Sequence, residues 1–474
     1  MTLPAKFVER VLRDLGGTEG AALCAALDAE PPVSVRLNPA KTGAETVSAG
    51  PDAGLPVPEA AGLPALAIAG RVPWSRDGRY LAVRPSFTLD PDFHAGAYYV
   101  QEASSQFVGH LLAAVRTEGA RILDLCAAPG GKTTLYASLA GPDGLVVANE
   151  IDRRRASVLA DNVRKWGTGN VAVTTCEPRA LGDFEAWFDV VAVDAPCSGE
   201  GMFRKDPDAR GEWSEGNVKQ CAARQDEILR EAWRALRPGG TLVYSTCTFN
   251  RDEDEGALER MAAWAGDEIA ESEETAVEDA WGIVCGRVGA FRTFRFYPHR
   301  TCGEGFFAAV ARKSFDAGGR VRTPKACRTV FAAVDRKTAG ELARWVRNPG
   351  GMRFAAVADT CYAWYAAQAD AVRTLSEALP VIYSGVALGQ VFKGVLKPDP
   401  ALAFFDGLNR GALPAAELDD EETLRFLRRQ DIAAGGLAEG MNLVCSRGRA
   451  LGFAKRIGAR VNNLYPNSLR IIKQ

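Results

Sequence analysis

From residue 121 onward, short apolar runs alternate with longer stretches of helical periodicity. Residues 121–125, 145–149, 171–175, 188–194 and 241–244 have strand length and strand composition. Residues 132–139, 152–166 and 221–235 lie between them and place apolar side chains at helical spacing. The 188–194 run is almost wholly apolar, as a strand covered on both faces requires. Strands and helices alternating at these lengths predict an α/β fold with a doubly wound, Rossmann-like parallel sheet. Upstream, residues 1–29 read as two short helices, with Phe7, Val8, Val11, Leu12 and Leu15 on one face. Residues 33–37 predict a strand that stops at the Asn38-Pro39 turn, and 49–69 are Gly/Pro-rich and predict an irregular connection. Residues 98–107 lead into a helix through Leu112. Downstream, the acid-rich 251–280 predicts a solvated helix face, and 291–296 with 305–311 a closing strand pair. Beyond Lys313 the alternation stops. Residues 330–405 mix short helices and strands, 417–428 predict a charged helix, and 441–472 short strands with Gly turns.

A chain of 474 residues exceeds one ordinary core and predicts several domains. The net charge of -2 supplies no global field for nucleic acid, so local balance matters more. From Met441 to the end there is no Asp or Glu, while Arg447, Arg449, Lys455, Arg456, Arg460, Arg470 and Lys473 are present. Such a patch is suited to phosphates. The eleven cysteines include no CxxC pair and only three His occur, which argues against a disulfide framework and against metal chemistry. Free thiols imply a reducing compartment. The first residues are amphipathic rather than signal-like, and no apolar run spans a bilayer. The expectation is a cytoplasmic protein, off the membrane. The absence of a coiled-coil or apolar surface stripe predicts a monomer.

The chemistry concentrates in three segments. Leu123-Asp124-Leu125-Cys126-Ala127-Ala128-Pro129-Gly130-Gly131-Lys132-Thr133 is a Gly-rich turn between a strand and a helix, a site for an anionic or nucleotide-like ligand. A P-loop requires Gly six positions before its Lys, where Cys126 stands, and the G-x-G-x-x-G spacing of a dinucleotide site is missing. An adenosine-type cofactor remains. Glu150, closing the second strand, is placed to grip ribose hydroxyls. Cys197, in Asp194-Ala195-Pro196-Cys197-Ser198-Gly199, and Cys247, in Tyr244-Ser245-Thr246-Cys247-Thr248, each follow a strand end facing the same pocket. Two thiols over a nucleotide-type site suggest covalent chemistry on an electrophilic ring.

These three segments, in this order, resemble the Nop/Sun family of RNA cytosine-5 methyltransferases. Asn149-Glu150-Ile151-Asp152-Arg153-Arg154-Arg155 and the closing Pro298 to Phe306 segment also match its catalytic domain, and Val35-Arg36-Leu37-Asn38-Pro39 its N-terminal segment. Gly452-Phe453-Ala454-Lys455-Arg456-Ile457-Gly458 with Asn463-Leu464-Tyr465-Pro466 is similar to the PUA-like C-terminal module of the bacterial F-type subgroup, which modifies small-subunit ribosomal RNA. The resemblance implies an RNA-binding domain over 1–95, a methyltransferase catalytic domain over 96–313, an intermediate domain over 314–405 and a PUA-like module over 406–474. It implies S-adenosyl-L-methionine as cofactor, bound by residues 126–132, Glu150, Arg155, Glu177 and Asp194. The family usually carries Asp near the adenine at the end of the third strand. Here Thr174-Thr175-Cys176-Glu177 stands there, and Glu177 reaches one methylene further.

Cytosine C5 is a poor nucleophile, and adding a thiolate to C6 pushes electron density onto it. Cys supplies both a soft nucleophile and a competent leaving group. The resemblance puts the covalent bond on Cys247 and leaves Cys197 to assist breakdown of the adduct. DNA cytosine-5 enzymes use the Pro-Cys thiol instead. Asp194 is expected at the N3 edge of the ring or its exocyclic amine, and Lys132 in the same pocket. The base must be unpaired or flipped, and Phe203, Arg204 and Lys205 are expected to stack and meet phosphates beside it. Two other readings stand beside this one: action on tRNA or several RNAs, and a non-catalytic ribosome-assembly factor.

Overall fold

The structure, a computed structural model, describes residues 2–43 and 63–472. Of the expected irregular connection, only 63–69 fall within the described residues. The centre is a ten-stranded mixed sheet. Its parallel part comprises β1 (Arg121–Asp124), β2 (Leu145–Asn149), β3 (Val171–Thr174), β4 (Phe188–Asp194) and β5 (Leu236–Thr246). Helices α1 (Gly131–Ala140), α2 (Arg153–Trp166) and α3 (Glu215–Ala235) connect them. The antiparallel part is β6 (Val284–Val288), β7 (Phe291–Phe296) and β8 (Phe306–Lys313), with Ile269–Ala270 pairing on β8. Strand order is β6-β7-β8-β5-β4-β1-β2-β3-β9, where β9 is Val381–Ser384. The chain winds outward one way from β1 through β3 and the other way through β4 and β5. The carboxyl ends of β1 and β4 therefore flank a topological switch point, where such sheets form a ligand crevice.

The strands run as the apolar pattern predicts because both faces are covered. On one face Ile122, Val146, Val173, Val190 and Val243 pack with Phe107, Leu135 and Phe294. On the other Leu123, Val147, Val191 and Leu242 pack under α3 and α4 (Glu255–Ala265). Helix α3 begins six residues earlier than the apolar periodicity suggests, because Ser214 Oγ accepts from Asn217 N and caps it. The fifth strand is also longer than 241–244. It starts at Leu236 and runs through Gly239 and Gly240, with a register shift against β4.

The acid-rich 251–280 is not one solvated helix. Only Glu255–Ala265 is α-helical, followed by short 3-10 turns at Gly266–Glu268 and Asp279–Trp281, and Glu253 and Asp254 are buried. Asp254 accepts from Thr246 Oγ1 at 2.6 Å and lies 3.0 Å from Arg295. An acidic run reads as solvent-facing until a distant cation meets it.

The N-terminal unit has helices Ala5–Leu15 and Gly17–Ala26 and a four-stranded antiparallel sheet in which Val33–Leu37 is flanked by Gly78–Leu81 and Tyr98–Val100. After β8 come helix α5 (Arg336–Ala343) and a five-stranded sheet that includes β10 (Val386–Phe392) and β11 (Val395–Pro398). Strand β9, from this same stretch, leaves it and pairs antiparallel with β3. The last unit is a four-stranded sheet of Ala415–Glu417, Gly440–Ser446, Arg449–Ile457 and Arg460–Asn463. Among the described residues, no helix is long and apolar enough to cross a membrane, and no cluster of side chains has the makings of a metal site.

Candidate active site

The turn after β1 bends the chain into α1. It contains the cis peptide Ala128-Pro129 and Gly130 at φ +111°, where a Cβ would come within 3.0 Å of Leu159 Cδ1. Asp124 closes β1 and is buried, accepting from Thr133 Oγ1 at 2.6 Å. Burial pushes its carboxyl up to about 7. Lys132, in the first turn of α1, crosses the crevice and sets Nζ 2.8 Å from Asp194 Oδ2 at the end of β4. Ser245 Oγ, from the neighbouring position on β5, donates to Asp194 Oδ1 at 2.8 Å. Burial alone would lower the Lys132 ammonium, but the Asp194 carboxylate reverses this and holds it above its ordinary value. Cys247 also raises it, so this thiol lies within electrostatic reach of the ammonium.

The two cysteines meet over that pair. Cys197 follows the end of β4 by three residues and Cys247 follows β5 directly, and their Sγ atoms are 3.4 Å apart. The contact with Cys247 and burial both push the Cys197 thiol well above its ordinary value. The two thiols share one hydrogen-bonding contact in which either sulfur can donate.

Buried carboxylates hold both loops. Glu200 accepts from Thr248 Oγ1 at 2.8 Å, Phe249 N at 2.9 Å, Trp213 Nε1 at 2.9 Å and Asn250 Nδ2 at 3.1 Å. Glu253 accepts from Ser198 N at 2.9 Å, Gln225 Nε2 at 2.9 Å and Asn250 Nδ2 at 2.7 Å. Each carboxylate thus ties the Cys197 loop to the Cys247 loop. Sequence reasoning missed Glu200, Ser245, Asn250 and Glu253. The signal was their position within a few residues of the two cysteines. Behind this network, under helix Ala5–Leu15, lies a cavity of about 520 Å³ lined by Arg10, Arg251, Arg287 and Arg295 and by four acids. It is separate from the crevice.

At the other end of the crevice, Glu150 is almost fully buried. Its Oε1 accepts from Asp152 N at 3.0 Å, and its Oε2 lies 3.2 Å from Arg155 Nη1. Arg155 Nη2 also donates to Ala128 O at 3.0 Å, so it ties the Gly-rich turn to the Glu150 carboxylate. Ala127 N donates to Asn149 O at 2.8 Å. The Asn149 side chain accepts from Thr174 Oγ1 at 2.9 Å and Cys176 N at 3.1 Å, binding the ends of β2 and β3. Burial pushes the thiol of Cys126 up, so it stays neutral in the wall of the turn. Glu177 is exposed, just beyond Cys176. This donor set fits S-adenosylmethionine. Glu150 has lone pairs left for vicinal hydroxyls, and the exposed Ile151 beside it offers an apolar face to a purine. The first N–H groups of α1, with Lys132 and Asp194, suit a zwitterionic amino-acid end.

Two expectations are corrected. Phe203 is fully buried, edge-on to Phe7 with ring centroids 5.0 Å apart, and cannot stack on a base. Arg204 is held by Glu304 Oε2 at 2.9 Å and Gly303 O at 2.7 Å, and only Lys205 of that trio is exposed. The C-terminal basic patch is partly spent inside the molecule. Arg447 lies 2.8 Å from Asp92 and 2.9 Å from Asp420, and Arg449 lies 2.8 Å from Asp92. Lys455, Arg460 and Arg470 remain exposed, and Lys473 lies outside the described residues.

A doubly wound sheet with paired thiols past the carboxyl ends of β4 and β5, beside its switch point, defines an S-adenosylmethionine-dependent RNA cytosine-C5 methyltransferase. Comparison with known proteins narrows the class. Residues 111–312 match the model of the 16S rRNA methyltransferase RsmB/F family, residues 3–103 the N-terminal domain of 16S rRNA methyltransferase RsmF, and residues 414–471 the methyltransferase RsmF PUA domain. Ribosomal RNA small subunit methyltransferase F of Shewanella loihica is 32% identical over 424 residues, 84% of this chain and 83% of that protein. That of Escherichia coli O81 is 32% identical, covering 84% of each. A methyltransferase homolog from Pyrococcus horikoshii, 26% identical, superposes with TM-score 0.53 over 65% of this chain and 94% of that one. NSun6 from the same organism, solved with SFG, shares the fold at TM-score 0.50 and 22% identity, over 65% of this chain and 98% of that one. The chain belongs to the ribosomal RNA small subunit methyltransferase F family.

Proposed function

We propose that the protein methylates C5 of a cytidine in small-subunit ribosomal RNA, in the cytoplasm and as a monomer, with Cys247 as nucleophile and Cys197 as its partner. The observation that carries this reading is the 3.4 Å contact of the two thiols beside the Lys132–Asp194 pair. Cys197 Sγ lies within hydrogen-bonding distance of Cys247 Sγ, and the Lys132 ammonium stands in the same crevice. The thiolate adds to C6 of a flipped cytosine, while Asp194 accepts from the exocyclic amine and Lys132 offsets the charge that develops on the ring. S-adenosylmethionine, held by residues 126–132, Glu150, Arg155 and Glu177, supplies the electrophilic methyl group. Once Cys247 is bonded to carbon, the Cys197 thiol gives its proton to solvent. The Cys197 thiolate then takes the C5 proton, the C5–H electron pair restores the C5–C6 double bond, and the C6–S bond breaks with its pair on the Cys247 sulfur. The chain divides into four domains, at 1–95, 96–313, 314–405 and 406–474, with the outer modules holding RNA away from the crevice.

The test is methyl transfer from labelled cofactor to purified small-subunit ribosomal RNA, to assembled small subunits and to bulk tRNA, with the product nucleoside identified. The expected product is 5-methylcytidine in ribosomal RNA or subunits. Cys247→Ala should abolish it with cofactor binding intact, whereas Cys197→Ala should leave protein covalently trapped on RNA. Trapping by Cys247→Ala instead would exchange the two roles. Label confined to tRNA would keep the chemistry and discard the substrate.

A further inference from the structure

The hairpin of β10 and β11 ends the five-stranded sheet, and its two faces have opposite character. Val391 and Leu396 face inward against the core. On the outward face Phe392 pairs with Val395, and Gln390 with Lys397. Phe392 is 71% exposed and Val395 65% exposed. Isolated exposed apolar residues are ordinary, but a cross-strand pair with a large ring at a hairpin tip is not. The two turn residues, Lys393 and Gly394, have φ of +51° and +79°. Such turns favour Asn-Gly or Asp-Gly, and a lysine in the left-handed region carries a steric cost. Lys393 is itself exposed, so packing does not offset that cost. Its Nζ lies 5.4 Å from the Phe392 ring centroid.

More cations converge on the tip. Lys337 of α5 runs along the turn, and a Cβ on Gly394 would lie 3.2 Å from its Cε. Lys397 is exposed one outward position below Val395, and Arg336 precedes Lys337 on α5. The nearby acids are occupied. Asp335 caps α5 by accepting from Thr338 N at 2.7 Å. Glu341 accepts from Leu396 N at 3.1 Å and Trp345 Nε1 at 3.2 Å, and pairs with Arg344 at 3.1 Å. An open aromatic face rimmed by lysines matches a polyanion that carries flat rings.

We infer that this tip is an RNA-docking point, distinct from the crevice and from the C-terminal module. Phe392 stacks on an unpaired base, and Lys337, Lys393 and Lys397 meet the flanking phosphates. The inference rests on the proposed action on RNA. It is tested on the full chain with Phe392→Ala and with the pair Lys393→Glu and Lys397→Glu, using whichever RNA the wild type methylates. Phe392→Ala should weaken RNA binding about tenfold. The charge pair should weaken it further and flatten the dependence of affinity on salt. Cofactor affinity, unfolding temperature and single-turnover rate at saturating RNA should stay those of the wild type. A photo-crosslinking residue in place of Phe392 should label RNA. Affinity within twofold of wild type for both variants would overturn the proposal, as would a crosslink to a ribosomal protein alone. If the wild type methylates no RNA, the functional reading fails first and this one falls with it.

Discussion

Asp124 lies at the floor of the crevice with Thr133 donating to it and Asp194 and Glu150 close enough to raise it further. Its folded value of about 7 stands above that of an unfolded aspartate near 4. The protonated form is thus the one folding prefers. The stability it contributes is complete below about pH 4 and is lost as pH rises through about 7. Asp124→Asn should flatten that part of the curve in urea melts between pH 5 and 8, and parallel curves for the two proteins would sink the assignment. Arg36 is a second buried charge. It donates to Gln101 Oε1 at 2.8 Å and Gly131 O at 3.1 Å, lies over the Trp166 ring at 4.5 Å, and is lowered by burial to about 10. Arg36→Lys cannot reproduce a planar fork, and should cost roughly 2–3 kcal/mol in stability and weaken cofactor binding measured by calorimetry. The motif residues were legible because their constraints are local: Gly130 needs its left-handed φ, and each thiol follows a strand end. The fates of Phe203 and Arg204 were not legible, because Phe7 and Glu304 lie far away along the chain and only folding brings them together.

At the level of elements, the Cys197 and Cys247 loops behave as one clamp. Glu200 and Glu253 share Asn250 and join residues just past β4 to residues just past β5. Glu200→Ala leaves buried donors on Trp213, Phe249 and Thr248 without their acceptor, a loss of about 2–4 kcal/mol. It should slow methyl transfer by more than tenfold while equilibrium cofactor binding is kept, since Glu150 and the Gly-rich turn are untouched. Unchanged turnover would mean the thiols align without the clamp. The alternation of β1 to β5 with their helices was readable, since each strand is apolar and each helix keeps its period. The acid run after Asn250 misled, because burial of Glu253 and Asp254 depends on Gln225 and Arg295 rather than on neighbours in sequence. Strand β9 left no trace in the apolar pattern of the parallel sheet, since an edge strand is specified by the partner it meets.

For the whole molecule, Asp92 holds the N-terminal and C-terminal units together. Buried, it faces Arg447 and Arg449 at 2.8 Å each. Asp92→Ala removes the acceptor that the two arginines share at that junction, while Arg447 keeps Asp420 and Arg449 keeps Lys41 O, and should cost about 1–3 kcal/mol. Limited proteolysis should then release the C-terminal sheet, and a digestion pattern identical to wild type would argue against the junction. Strand β9 has a different kind of consequence. Val171–Thr174 emerges from the ribosome about 200 residues before the strand that covers it. At roughly 5–20 residues per second, the nascent sheet waits on the order of 10–40 s with that side bare. A bare, buried-type edge invites pairing with other chains. Translation speed between β3 and β9, or a chaperone arriving in that interval, therefore governs how much of this enzyme reaches its native state.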